Sequence, residues 1–209
     1  NSTFVTDDRT DNTIINSGTI TADLNAAITI SSSDGTTLTN TGTITGAGRG
    51  IHANEMDNSL TTNHGTISAT SANGYGIWYE NNGNARVNNI LNNFGTISAI
   101  VGTTSDGIGL GKSAKAMFNT TINNSGTISG SDNSILVLNS SSTGIDIVTK
   151  GDGTYEGEID LNSSATTMTL DCSISKDQKI EIHGKTNMVI TNNLCGNDTY
   201  EILDNNSDL

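Results

Sequence analysis

Polar and apolar positions alternate with period two in short stretches along nearly the whole chain, and the alternation restarts at regular intervals. The clearest stretch is a seven-residue phrase, Asn-Xaa-Gly-Thr-Ile-(Thr/Ser)-(Ala/Gly), which occurs five times, at 16–22, 40–46, 63–69, 93–99 and 124–130. Within it Ile20, Ile44, Ile67, Ile97 and Ile128 fall on one side of a strand and their Thr and Ser neighbours on the other. The glycines Gly18, Gly42, Gly65, Gly95 and Gly126 are spaced by 24, 23, 30 and 31 residues, the length of one solenoid coil and too short for a domain. A single unit of this size cannot bury its own apolar side, so the repeats must stack.

A second strand follows each phrase, as in Ile28-Thr29-Ile30, Ile51-His52-Ala53, Ile77-Trp78-Tyr79 and Ile108-Gly109-Leu110, and a third apolar stretch precedes it around Ile14, Leu38, Leu60, Ile90 and Ile122. Three short strands per coil predict a triangular cross-section, and the crossover rule for parallel strands favours a right-handed superhelix. The expected fold is therefore all-β, a right-handed parallel β-helix. Its isoleucines should form an internal ladder at the roughly 4.8 Å spacing of paired strands. The column Asn16, Asn40, Asn63, Asn93 and Asn124 should stack likewise, Asn tolerating left-handed backbone and the Gly two residues on supplying a corner.

The phrase fades after Gly130, but strands recur at 144–149, 157–161, 166–172, 179–183, 188–191 and 200–203, which predicts about two further coils. No Pro, Gly/Ser linker or charge block separates the halves. One continuous domain over 1–209 is expected, with repeat coils over 1–142 and C-terminal coils over 143–209, roughly seven or eight coils and about 35–40 Å in all.

Only 33% of the 209 residues are apolar and 4% aromatic, little for a globular α/β protein but enough for a narrow solenoid core walled by Thr, Ser and Asn. The net charge of −13 argues against nucleic acid or an anionic bilayer as partner, since both select clustered Lys and Arg. No apolar run reaches the length of a membrane span, no signal peptide begins the chain, and the start at Asn1 suggests a mature or excised segment. Cys172 and Cys195 lie 23 residues apart, one coil in the short-repeat register. On neighbouring coils they would form a disulfide if their side chains point the same way, stabilising by about 3 kcal/mol in an oxidising compartment; otherwise they are two buried thiols.

The Asn-Xaa-Gly-Thr-Ile-(Thr/Ser) repeats, in a chain rich in Thr, Ser, Asn and Gly, resemble the passenger domains of Gram-negative autotransporters, well over residues 10–130 and more loosely beyond. The resemblance implies a β-helix carried through an outer-membrane barrel and displayed on, or released from, the cell surface. It implies no single activity, because adhesins, toxins, proteases and esterases share that scaffold.

Catalytic constellations are scarce. No serine-protease or esterase motif, His pair for a metal or nonapeptide calcium repeat is present, and no cofactor is implied. His52, His64 and His183 read as isolated surface histidines. Glu156, Glu158 and Asp160 alternate, so their carboxylates are expected to share a face, either as a solvated acidic edge or as the acids of a carbohydrate-active enzyme. The outward Thr and Ser of the phrases form a regular hydroxyl face that β propensity alone explains.

Interruptions of the repeat say more. The third and fourth coils are longer, with the extra residues at 70–75 and 100–106 and again at 80–86 and 111–116, and stacking should bring corresponding insertions together. Beside them lie Tyr75, Trp78, Tyr79, Arg86, Phe94, Lys112 and Lys115, residue types enriched at interface hot spots. Trp78 is expected to face outward beside Gly109 of the following coil, its indole lying flat in the space that glycine leaves and its edge open to a partner. These residues point to a non-catalytic module that binds a host-cell surface protein or glycan, with self-association through end coils or Thr-rich faces as an alternative.

Overall fold

The structure is a computed structural model that describes residues 4–7, 10–81, 88–112, 115–162, 165–171, 179–183, 189–193 and 201–204. Every regular element among them is a β-strand, and every pairing between strands is parallel. The first strand, β1 (Phe4–Asp7), belongs to the third of three faces. The first face stacks β2 (Thr13–Asn16), β5 (Thr37–Asn40), β8 (Leu60–Asn63), β11 (Ile90–Asn93), β14 (Phe118–Asn124), β16 (Thr143–Thr149), β18 (Ala165–Asp171) and β20 (Val189–Asn193). The second, built by the repeat phrase, stacks β3 (Thr19–Ala22), β6 (Thr43–Gly46), β9 (Thr66–Ala69) and β12 (Thr96–Ala99). The third continues from β1 through β4 (Ala26–Asp34), β7 (Arg49–Asp57), β10 (Tyr75–Glu80) and β13 (Asp106–Leu110).

The long strand β15 (Thr127–Val137) pairs with β12 by its first residues and with β13 by its last, so it turns the corner between the second and third faces without interruption. It is followed by β17 (Thr154–Asp160), β19 (Lys179–His183) and β21 (Glu201–Asp204). This arrangement is consistent with a right-handed parallel β-helix. Among the described residues the first face carries eight strands, three of them after the last phrase where about two further coils were expected.

Alternation decides which side chains enter the core. Ile44, Ile67, Ile97 and Ile128 are fully buried in one column, Ile28, Ile51, Ile77, Ile108, Ile135 and Ile159 in another, and Leu38, Leu91, Ile122, Ile147 and Met168 in the column of the first face. Ile20, on the first coil of its column, is only partly buried. The expected Asn column is present. Each amide donates its Nδ2 hydrogen to Oδ1 of the Asn one coil on, at 2.8 Å from Asn16 to Asn40, 2.8 Å from Asn40 to Asn63, 2.9 Å from Asn63 to Asn93 and 2.9 Å from Asn93 to Asn124. Asn124 ends the ladder on the Thr154 carbonyl at 3.1 Å.

The role expected of left-handed backbone in the phrase is corrected. Neither these Asn residues nor the phrase glycines have positive φ. A Cβ on Gly42, Gly65, Gly95 or Gly126 would instead collide with the carbonyl oxygen of the preceding phrase glycine, so what the position requires is close approach of two backbones. Six of the left-handed residues form a separate column at the corner between the third and first faces, Asp11, Gly35, Asn58, Asn88, Asn119 and Gly144, with φ between 47° and 71°. Asp, Asn and Gly are the residue types that tolerate this conformation.

Candidate functional site

The insertions of the third and fourth coils do pair. At one corner Gly74 donates its N–H to Ser105 Oγ at 3.2 Å, and Thr104 donates its hydroxyl to Asn73 Oδ1. At the other, Asn81 Nδ2 donates to the Ala116 carbonyl at 2.7 Å. Between these two corners lies the third face over β7, β10 and β13.

The outward column on that face runs His52, Trp78, Gly109 in register. Trp78 thus faces outward opposite Gly109, as the alternation requires, and is partly exposed. The space over Gly109 is shared by two rings: ring carbons of Tyr75 would stand 2.6 Å from a Cβ at Gly109 and Trp78 Cδ1 3.2 Å from it, so the indole borders that space as expected but Tyr75 fills more of it. Trp78 stacks with Tyr75 at 5.2 Å between centroids and 20° between planes, and with His52 of the preceding coil at 5.2 Å and 16°. Its indole N–H donates to the Gly111 carbonyl at 3.0 Å. The Arg49 guanidinium carbon lies 4.1 Å from the Trp78 ring centroid, a cation–π contact, while Nη1 donates to Asn25 Oδ1 at 2.8 Å.

Charge around this aromatic stack is closely paired. Glu80, 6% exposed, contacts His52 Nε2 through Oε2 at 2.6 Å and Lys112 Nζ through Oε1 at 2.8 Å. Burial alone would raise the Glu80 carboxyl, but the hydrogen bonds to Lys112 and His52 outweigh it and hold the group below the usual carboxylate range. Burial lowers the His52 imidazole despite its bond to Glu80, and Arg49 and Lys112 lower it further. At neutral pH the short contact is therefore a neutral Nε2–H donating to a carboxylate. Across from Tyr75 on the following coil sits Asp106, 3% exposed, whose Oδ1 accepts from Asn133 N at 3.2 Å and Nδ2 at 2.9 Å. Burial, helped by Asp132 and Asp160 and opposed by Asn133, pushes it up to about 6.

The expected site residues divide. Tyr75, Trp78 and Lys112 come together. Tyr79 points into the core at 1% exposure and contributes no surface. Phe94 is 52% exposed but stands at the corner between the first and second faces, stacked on His64 at 4.7 Å and 8°. Lys115 is exposed and exchanges backbone hydrogen bonds with Lys112 at 3.1 and 2.8 Å. Arg86, Cys172 and Cys195 lie outside the described residues.

Arg49, His52 and Glu80 escaped sequence reasoning as members of the site, and His52 is not the isolated surface histidine expected. A signal for two of them was present: Arg49-Gly-Ile-His52 aligns with Tyr75-Gly-Ile-Trp78 and Asp106-Gly-Ile-Gly109, so the outward neighbours of Trp78 follow from column arithmetic.

Glu156, Glu158 and Asp160 do not share one face. The strand β17 kinks at Gly157, φ 105°, placing Glu156 opposite Ser129 in the second-face half of β15, and Glu158 and Asp160 opposite Asn133 and Leu136 beyond the corner. The Thr and Ser hydroxyl columns of the second face are in register, with Thr45 and Ser68 hydroxyls 3.1 Å apart. Among the described residues no three His, Cys, Asp or Glu side chains cluster as a metal ion would need. What the third face offers chemically is a contact surface: aromatic edges and a guanidinium, held in fixed positions beside the buried, paired Glu80 carboxylate. No protein-family model matches the chain, and neither a curated protein nor a solved structure matches it.

Proposed function

We propose that this chain is a non-catalytic binding module of a secreted or surface-displayed protein, an autotransporter-type passenger, which engages a protein on another cell through the ledge around Trp78. The observation that carries the reading is the pre-packed stack of His52, Trp78 and Tyr75 with Arg49 on the indole, set between two stacked insertions. Aromatic and Arg side chains already fixed by their neighbours lose little conformational freedom on association, which is what makes such clusters hot spots. His52 and Tyr75 already stack on the indole, so the surface offers ring edges and a cation. That suits a protein partner better than a sugar ring, which stacks on an open aromatic face. An anchored adhesin and a released receptor ligand would use the ledge alike. The repeat phrase supports the export route.

Trp78 is the only tryptophan, so its fluorescence reports on the ledge directly. Purified chain added to cultured animal cells and to bacterial cells should bind one of them saturably, with a change in that fluorescence. Trp78→Ala should weaken binding by more than about 1 kcal/mol, roughly fivefold, with its β-sheet circular dichroism retained. Absence of saturable binding, or unchanged affinity in that variant, would remove the ledge from the function. Sedimentation that depends on concentration and on Trp78 would mean that the ledge joins two copies of the chain instead.

A further inference from the structure

We infer that the corner between the third and first faces carries a carbohydrate-binding groove, distinct from the ledge, which seats a neutral sugar chain running along the stack. The groove, about 310 Å³, is lined by Asn88, Ile90, Asn119, Thr121, Gly144 and Asp146. It exists because a side-chain column stops. At the left-handed corner Asn58 Nδ2 donates to Asp34 Oδ1 at 2.9 Å and Asn88 Nδ2 to Asn58 Oδ1 at 3.0 Å, each amide tied to the coil before it. At Gly144 no side chain continues the series, and Asn119 Oδ1 points to the place where a Cβ would stand. The acceptor is left facing the groove.

The second wall is the outward column of the first face, in which Ile90, Thr121 and Asp146 follow one another on consecutive coils. Ile90 is 40% exposed and forms an apolar floor. An amide, a hydroxyl and a carboxylate in a row that starts at one aliphatic side chain suit successive pyranose residues, whose hydroxyls donate to carboxylate and amide oxygens while the C–H face of one of them lies on the apolar surface. Asp146 and the absence of any cation among the lining residues disfavour phosphate, sulfate and uronate ligands. The polar groups recur at the roughly 4.8 Å interval of paired strands, about the length of one sugar residue. A linear oligosaccharide parallel to the axis would therefore repeat its hydroxyls in step with the coils.

The test is an NMR titration of the ¹⁵N-labelled chain with cellotetraose and mannotetraose, and with tetragalacturonate as the anionic counterpart. At least one neutral tetrasaccharide should shift the amides of Thr121, Gly144 and Asp146 saturably at millimolar concentration, and tetragalacturonate should not. Gly144→Asn supplies the missing amide with a residue that tolerates left-handed backbone, closing the groove, and should weaken binding at least tenfold. Asp146→Ala should do the same by removing the carboxylate, and it carries the test if the first variant does not fold. The inference is overturned if neither neutral tetrasaccharide shifts these amides, if binding survives Asp146→Ala, or if tetragalacturonate binds as well as the neutral sugars.

Discussion

Tyr79 and Tyr155 are both buried, and burial pushes both phenols up to about 12, yet their hydroxyls stand in opposite circumstances. The Tyr155 hydroxyl lies 2.9 Å from Thr149 Oγ1, a buried hydrogen bond. The Tyr79 hydroxyl meets no partner at hydrogen-bond distance and angle, and the Thr61 side chain only partly offsets the effect of burial on it. Tyr155→Phe should therefore lower stability by about 1 kcal/mol, whereas Tyr79→Phe should leave it unchanged or raise it by up to about 1 kcal/mol, because an unsatisfied buried hydroxyl is removed. Urea denaturation of the two variants side by side checks the contrast. Alternation placed Trp78 outward, and it already spoke against counting Tyr79 among the interface residues, since Tyr79 shares parity with the inward Ile77. It did not reveal what surrounds Trp78: Arg49 and His52 lean from the coil before it and Tyr75 leans over Gly109 from its own strand. Such leaning is a choice among rotamers, which no periodicity encodes.

At the scale of the strand and its corners, one repeat phrase supplies its own control. Gly18 and Gly65 occupy the same position of the phrase, but a Cβ on Gly18 meets nothing within 4 Å, whereas on Gly65 it meets the Gly42 carbonyl. Gly18→Ala is expected to change stability by no more than about 1 kcal/mol. Gly65→Ala should destabilise by about 3 kcal/mol or more, because backbone hydrogen bonds on both sides prevent the coils from separating. Thermal unfolding of the pair would distinguish close approach from backbone conformation as the reason for the glycine, since neither residue has positive φ. The strands were legible because a two-residue period with β-branched residues survives in every coil, even after the phrase is lost at β16 to β21. The left-handed corner was missed although its spacing is regular: Asp11, Gly35, Asn58, Asn88 and Asn119 each stand five residues before a ladder Asn. In a chain this rich in Asn and Gly that column does not stand out until the pairing register isolates it.

For the molecule as a whole, the net charge of −13 makes buried carboxylates the groups to watch as pH changes. Asp106 has a folded pKa raised to about 6, above its unfolded value of about 3.9. Between those two values the folded chain holds the proton and the unfolded chain does not, so this group's contribution to stability falls as pH rises through about 4 to 6. Wild-type protein should therefore gain stability relative to Asp106→Asn when the pH is lowered from 7 to 5. The comparison cancels the general relief of self-repulsion that acidification brings to both, and denaturant midpoints at the two pH values would measure it. Parallel stacking was legible from coil length alone, whereas the burial of Asp106 against Asn133 depends on how β15 turns its corner and left no mark in the hydrophobic pattern. The asparagine ladder has one more implication. Every amide in it donates toward the C-terminal end, from Asn16 through Asn124 to the Thr154 carbonyl, so the column is a vector, and its mutually polarised links strengthen one another. The stack is in this sense a polymer with a head and a tail. An extra coil grafted at the head will be accepted only if its asparagine arrives as a donor to Asn16. A coil spliced between two existing ones must carry both functions at once, which is the grammar a designer lengthening this protein would have to obey.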